Sequence, residues 1–205
     1  MFRKIAFVAL IVLAAISGVL VAKFIVDPPQ YTPVAQSGGM VVSNPRQIPD
    51  YALVDMNGQP FKLSQLRGRS VLIFFGYTFC PDICPATLAN VGQALRDLGS
   101  RADDIQVIMV SLDPERDTPE KLSDYVDQFH PSMIGITGTK EKLDEVASLY
   151  GIFYQKAEGS DATRYLIDHT ATLLVLDREG YLKLVFPFGV TSQEIADDLK
   201  YMLRQ

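Results

Sequence analysis

Two cysteines and two histidines are the only thiols and imidazoles in this chain, and both cysteines fall in one hexapeptide, Cys80-Pro81-Asp82-Ile83-Cys84-Pro85. Thiols four residues apart can share a turn, with Cα atoms about 6 Å apart, inside the window for a disulfide. The same closeness lets both sulfurs reach one metal ion. The hexapeptide follows a buried-strand pattern, Val71-Leu-Ile-Phe-Phe75, and precedes helical spacing at Leu88, Val91, Leu95 and Leu98. A cysteine at the start of a helix meets unsatisfied N–H groups and the positive end of the helix dipole, which favour thiolate over thiol. Thiolate is the nucleophile of disulfide exchange and a ligand for soft metal ions. A bridge closing so short a loop stabilises little, which makes a reactive or metal-binding pair a better reading than a structural staple.

The elements that must carry this turn can be followed along residues 45–205, which read as one domain without internal repeats. Tyr51–Val54 and Pro60–Leu63 flank Asn57-Gly58, a hairpin signal. The strand Val71–Phe75 leads to a helix from about Pro85, since proline suits the first helical position. A second buried strand, Ile105 to Val110, enters Asp113-Pro-Glu-Arg-Asp-Thr-Pro119, where Thr118 caps and Pro119 opens a helix bearing Leu122, Tyr125, Val126 and Phe129. Met133 to Thr137 is a short strand, and Leu143, Val146, Ala147 and Tyr150 mark a helix ended at Gly151. Residues 155–169 read as a long connection. Thr172–Leu176 and Tyr181–Phe186 form a hairpin, and Thr191-Ser-Gln-Glu194 is a capping box before a last helix facing inward through Ile195, Leu199, Met202 and Leu203. This order predicts an α/β fold, a mixed β-sheet flanked by helices.

The first 26 residues differ in kind. Ile5 to Ala22 carry no charge, and only Lys23 separates them from Phe24-Ile-Val26; as a helix this run is roughly 33 Å long, enough to cross a bilayer. Arg3 and Lys4 precede it, which favours a cytoplasmic N-terminus. A cleaved signal peptide would have a shorter apolar core and a small-residue site after it, whereas Ala15-Ile-Ser17 falls inside the run. Residues 1–26 are therefore expected to be an uncleaved anchor and 27–44, with Pro28, Pro29, Pro33, Gly38 and Gly39, a spacer. The simplest placement is a bacterial inner membrane, with the domain in the periplasm, where a disulfide is permitted. With Arg3, Lys4 and Lys23 set aside, 16 of the 19 basic residues face 24 acidic ones, a formal charge of −8 on the exported part. Nucleic acid and anionic lipid headgroups are poor partners for that surface.

The placement of the cysteines and the element order are thioredoxin-like, but three residues separate the thiols where thioredoxins have two. Together, Cys80-Pro-Asp-Ile-Cys-Pro85, Ser111-Leu-Asp-Pro-Glu-Arg-Asp-Thr-Pro119, Phe129-His-Pro131 and Tyr165-Leu-Ile-Asp-His-Thr170 resemble the Sco/SenC family of copper proteins. The resemblance runs from about residue 45 to the C-terminus. It implies a thioredoxin-like fold in which Cys80, Cys84 and His169 bind one copper ion, Cu(I) or Cu(II). It also implies a part in building the binuclear copper site of cytochrome c oxidase, as copper donor, thiol reductant or both. The implied partners are the oxidase subunit that receives copper and an upstream copper carrier or thiol reductant.

In such a sheet, Thr172–Leu176 would lie antiparallel to Val71–Phe75, bringing His169 beside Cys80. Two thiolates favour Cu(I), and an imidazole helps tolerate Cu(II). Zinc could use the same atoms but usually takes a fourth ligand. His130, between Phe129 and Pro131 at a helix end, reads as structural. The Asp113–Pro119 segment reads as a strand-to-helix turn with a docking role left open. Asp82 and Asp168 read as solvated loop acids that could tune adjacent ligands. The rival function is a membrane-tethered thiol-disulfide oxidoreductase that binds no metal, with Cys80 and Cys84 as its catalytic pair. A thiol peroxidase is disfavoured because Tyr77 stands where such enzymes place threonine.

Overall fold

The computed structural model describes residues 37–157 and 165–204. The expected anchor, residues 27–36 of the expected spacer, and residues 158–164 of the expected long connection lie outside the described residues. Among the described residues no helix is long and apolar enough to cross a membrane.

In chain order the strands are β1 (Met40–Val41), β2 (Ala52–Asp55), β3 (Pro60–Lys62), β4 (Ser70–Gly76), β5 (Ile105–Ser111), β6 (Ile134–Thr137), β7 (Tyr154–Lys156), β8 (Ile167–His169), β9 (Leu173–Leu176) and β10 (Leu182–Phe186). The helices are α1 (Ile83–Leu98), α2 (Pro119–Asp127), α3 (Lys140–Tyr150) and α4 (Ser192–Met202). Eight strands form a mixed sheet in the order β1-β10-β9-β4-β5-β6-β2-β3, while β7 and β8 pair in a separate ribbon. This is the thioredoxin-like α/β fold expected, with β4 and β5 parallel at its centre and β9 antiparallel beside β4.

β4 is apolar throughout because both its faces are covered. Leu72 and Phe74 pack under α1, α2 and α4, and Val71, Ile73 and Phe75 pack against α3 and β2. Each such side chain contributes about 1.5–3 kcal/mol by leaving water. The hairpin forms where Asn57-Gly58 predicts it, with Leu53 opposite Phe61 and Gly58 at φ 73°. Thr118, Thr139 and Thr191 cap their helices, each accepting a hydrogen bond from the backbone amide three residues on.

Three local features differ from the sequence reading. Helix α1 begins at Ile83, so Cys84 lies inside its first turn and Pro85 one residue further. Proline is tolerated there because the first four amides of a helix have no intrahelical acceptor; the first such bond runs from Ala86 N–H to the Asp82 carbonyl at 3.1 Å. Residues 155–169 are not one long connection, because Tyr154 pairs with His169 and Lys156 with Ile167. Residues 37–44 are attached to the sheet, with Met40 opposite Val185 and Val41 opposite Leu184. Three-residue and two-residue strands are too short to show a period.

Candidate metal centre

The site lies where β4 ends. Its chain passes Gly76, turns at 77–80 with Cys80 N–H donating to the Tyr77 carbonyl at 3.3 Å, and enters α1. Cys80 is half-buried and Cys84 is fully buried. The Cys84 sulfur fits because residue 76 is glycine: a Cβ there would stand 3.0 Å from Cys84 Sγ and 2.7 Å from Phe74 Cε1.

One orphan amide of the helix start finds its acceptor in the site itself. Cys84 N–H donates to Cys80 Sγ at 3.4 Å. With a hydrogen bond from the Cys84 thiol as the largest influence, the Asp82 and Cys84 amides and the nearby His169 assisting, the Cys80 thiol is pulled down to about 5. Cys84 moves the other way, pushed up by its bond to Cys80 and by burial. The pair is thus unequal, with the half-buried Cys80 favouring thiolate and the buried Cys84 favouring thiol.

His169 closes the group from the opposite side. β9 runs antiparallel to β4 with Leu173 opposite Phe74, so the residues just before β9 return to the exit of β4. His169 Nε2 stands 3.5 Å from Cys84 Sγ, and its Nδ1 lies 3.2 Å from the Thr170 carbonyl. A carbonyl can only accept, so Nδ1 donates to it, and Nε2 is the ring atom that faces the sulfur. Phe74 and Tyr77 hold the ring edge-on, at centroid distances of 6.2 and 6.0 Å. The structure thus brings all three predicted residues to one place. Among the described residues no group of three or more His, Cys, Asp or Glu side chains is placed to hold a metal ion; Cys84 and His169 are in contact, and Cys80 is held beside them by the Cys84 amide. Two soft sulfurs and an imidazole fit copper.

His130 is engaged elsewhere, its Nδ1 2.8 Å from Ser132 Oγ. The Asp113–Pro119 segment does more than turn the chain. Asp117 accepts from Thr78 N–H at 3.0 Å, Thr78 Oγ1 at 2.6 Å and Ser111 Oγ at 2.7 Å, which fixes the loop leading to Cys80. Asp113 accepts from Tyr165 OH at 2.6 Å and pairs with Arg116, whose guanidinium lies 3.6 Å from the Tyr165 ring centroid and 4.7 Å from that of Phe79. Tyr77 OH accepts from Ile167 N–H at 3.1 Å, tying the cysteine loop to the strand that bears His169. Sequence reasoning missed Tyr77, Asp117, Arg116 and Tyr165 as supports. Thr78 lies 39 positions from Asp117, Asp113 lies 52 from Tyr165 and Ile167 lies 90 from Tyr77, beyond any local pattern.

Fold and site together define a thioredoxin-like dithiol domain in which a histidine takes the position facing the cysteine turn. The chain belongs to the SCO1/SenC family, whose sequence profile matches residues 42–204. A SCO2-like protein of Rickettsia prowazekii is 34% identical over 151 residues, covering 73% of this chain and 74% of that protein. The copper-bound structure of Bradyrhizobium japonicum ScoI is 36% identical with a TM-score of 0.70, covering 77% of this chain and 99% of its own. The apo Sco1 of Thermus thermophilus is 39% identical with a TM-score of 0.71, covering 84% and 98%.

Proposed function

We propose that this chain binds one copper ion through Cys80, Cys84 and His169 and serves assembly of the binuclear copper site of cytochrome c oxidase. The observation that carries the reading is the His169 Nε2 facing Cys84 Sγ at 3.5 Å, beside a thiolate-prone Cys80. A copper-bound relative of the same fold supports it. Copper is cargo here: the sulfurs hold Cu(I), the imidazole helps hold Cu(II), and the oxidase subunit that houses the binuclear site receives the metal. An upstream copper carrier or thiol reductant supplies the site. In this reading residues 1–26 anchor the chain in a bacterial inner membrane with the domain in the periplasm.

The thiol asymmetry favours a second activity at the same residues, reduction of a partner disulfide. The half-buried Cys80 thiolate attacks, forming a mixed disulfide and releasing one partner thiol; the buried Cys84 then displaces the second partner thiol and leaves a Cys80–Cys84 bond, two electrons having passed to the partner. The two activities exclude one another in time, because metal binding needs both sulfurs reduced. Anaerobic Cu(I) titration tests the reading. One equivalent should bind the reduced chain tightly, and none the disulfide form. Either cysteine-to-serine change should abolish tight binding, His169→Ala should weaken it and alter the Cu(II) thiolate charge-transfer bands, and His130→Ala should do neither. Equal damage from the two histidine changes would remove His169 from the ligand set. Metal-free redox activity without any copper binding would leave the oxidoreductase alone.

A further inference from the structure

The segment entering the domain is held by a buried carboxylate. Asp198, in α4, is fully buried. Its oxygens accept three consecutive backbone amides: Ser37 N–H at 2.8 Å on Oδ1, then Gly38 N–H at 3.1 Å and Gly39 N–H at 2.8 Å on Oδ2. Successive amides converging on one anion form a nest, a strong and directional arrangement. The glycine pair is required by close approach. A Cβ on Gly39 would stand 3.0 Å from Asp198 Oδ2 and 3.0 Å from Phe186 Cε1; one on Gly38 would stand 2.9 Å from Val190 Cγ2. Glycines that look like a linker are there because helix α4 and the β10 end leave no room for a side chain.

From the nest the chain runs along the free edge of β10 as a strap. Met40 and Val41 pair with it, Val42 N–H donates to the Lys183 carbonyl at 2.9 Å, and Ile48 N–H donates to the Gly180 carbonyl at 3.0 Å. The direction of this strap matters. Phe186, against Gly39, is opposite Leu173, and Leu173 is opposite Phe74 near the exit of β4. The nest therefore sits at the end of the sheet from which the chain leads to Cys80.

We propose that Asp198 is a latch that fastens the incoming chain to the site end of the sheet: opening it frees residues 37–39, and peeling of the β10 pairings of 40–47 from that freed end then adds residues 37–47 to the length of chain preceding the domain. At 3.3–3.6 Å per residue those eleven residues extend the reach by roughly 36–40 Å. With the latch closed the site is held close to the point where the chain enters; with it open the site is free to travel. The membrane consequence rests on the anchor reading of residues 1–26, whereas the latch does not.

Hydrogen exchange and limited proteolysis of the full chain in its membranes test the latch. In Asp198→Ala the amides of 37–39 should exchange about ten-fold faster or more, the order expected when a charged hydrogen bond is lost. A non-specific protease should then cut within 37–47, while β4 and β5 amides keep their protection. Asp198→Asn, which keeps one acceptor oxygen, should fall between. Should Asp198→Ala lower protection throughout the domain, Gly38→Ala opens the same contact from the strap side, its methyl meeting Val190 and Glu194 while the sequence of α4 is unchanged, and the same local change is expected. Wild-type exchange at 37–39 in both Asp198→Ala and Gly38→Ala would overturn the latch. Cutting that releases the domain from sedimented membranes supports latch and anchor together. The same cutting in a chain that never sediments with membranes supports the latch and removes the anchor.

Discussion

Asp117 offers a quantitative test of how the cysteine loop is held. Its carboxylate is 1% exposed and accepts from the Thr78 amide, the Thr78 hydroxyl and the Ser111 hydroxyl. In Asp117→Ala the two hydroxyls can rotate toward other acceptors, but the Thr78 amide cannot. A stranded buried group costs about 1–3 kcal/mol, and each hydrogen bond to a charged group contributes about 1.5–3 kcal/mol. Burying the charge works against that gain and holds the Asp117 carboxyl above the usual carboxylate range. The net loss for alanine should be about 3–4 kcal/mol. Asp117→Asn keeps the shape and one acceptor and should cost about 1–2 kcal/mol. A carboxyl with a raised folded pKa binds its proton more tightly when folded, so its contribution is full below the unfolded value and falls as pH rises through the folded one. Asparagine does not titrate, so the gap between wild type and Asp117→Asn should be widest below about pH 4 and narrow toward neutrality. Urea denaturation of the reduced protein in mild detergent, followed by circular dichroism because the chain has no tryptophan, measures both. An alanine variant as stable as wild type, or a gap that widens as pH rises, would refute the reasoning.

Iodoacetamide labelling of the reduced protein, mapped by peptide, should rise through about pH 5 at Cys80 and leave Cys84 unmodified. Cys84→Ser replaces the main hydrogen-bond donor to Cys80 and should change the midpoint of that curve. Gly76→Ala forces a methyl against Cys84 Sγ, and Gly92→Ala forces one to 2.6 Å from the Phe129 carbonyl oxygen. Both should cost about 1–3 kcal/mol in thermal or urea unfolding, yet only Gly76→Ala should also weaken Cu(I) binding in a competition titration. Protease added to spheroplasts should digest the domain and leave a membrane-bound N-terminal stub; a soluble mature chain beginning after the apolar run would make that run a cleaved signal.

The sheet and its helices were legible because their signals are local and long. The buried run at 71–75, the threonine caps at Thr118 and Thr191, and the Asn57-Gly58 turn each fix an element without reference to distant residues. The approach of His169 followed from topology, since a strand antiparallel to β4 must begin where β4 ends. The β7–β8 ribbon and β1 were hidden because pairings of two or three residues carry no period. The unequal thiols were hidden as well. That difference arises from the depth of Cys84 beneath Gly76 and from one helix amide aimed at Cys80, neither of which spacing records. The acids of the 113–119 segment read as ordinary strand-to-helix turn residues because their partners, Thr78 and Tyr165, are brought to them only by folding.

In the copper-binding reading proposed above, the three donors hang from supports of unequal strength. The sulfurs project from the exit of β4 and the first turn of α1, at the centre of an eight-stranded sheet. The imidazole rides on β8, which among the described residues pairs as a strand only with β7 and is tied to the cysteine loop by the Tyr77 hydroxyl; a two-stranded unit is marginally stable alone. A ligand exchange that proceeds one donor at a time would therefore begin at the nitrogen. An incoming donor could displace the imidazole while the sulfurs stay in place, so the rate of hand-over would be governed by how readily a three-residue strand lifts and not by the strength of the thiolate bonds.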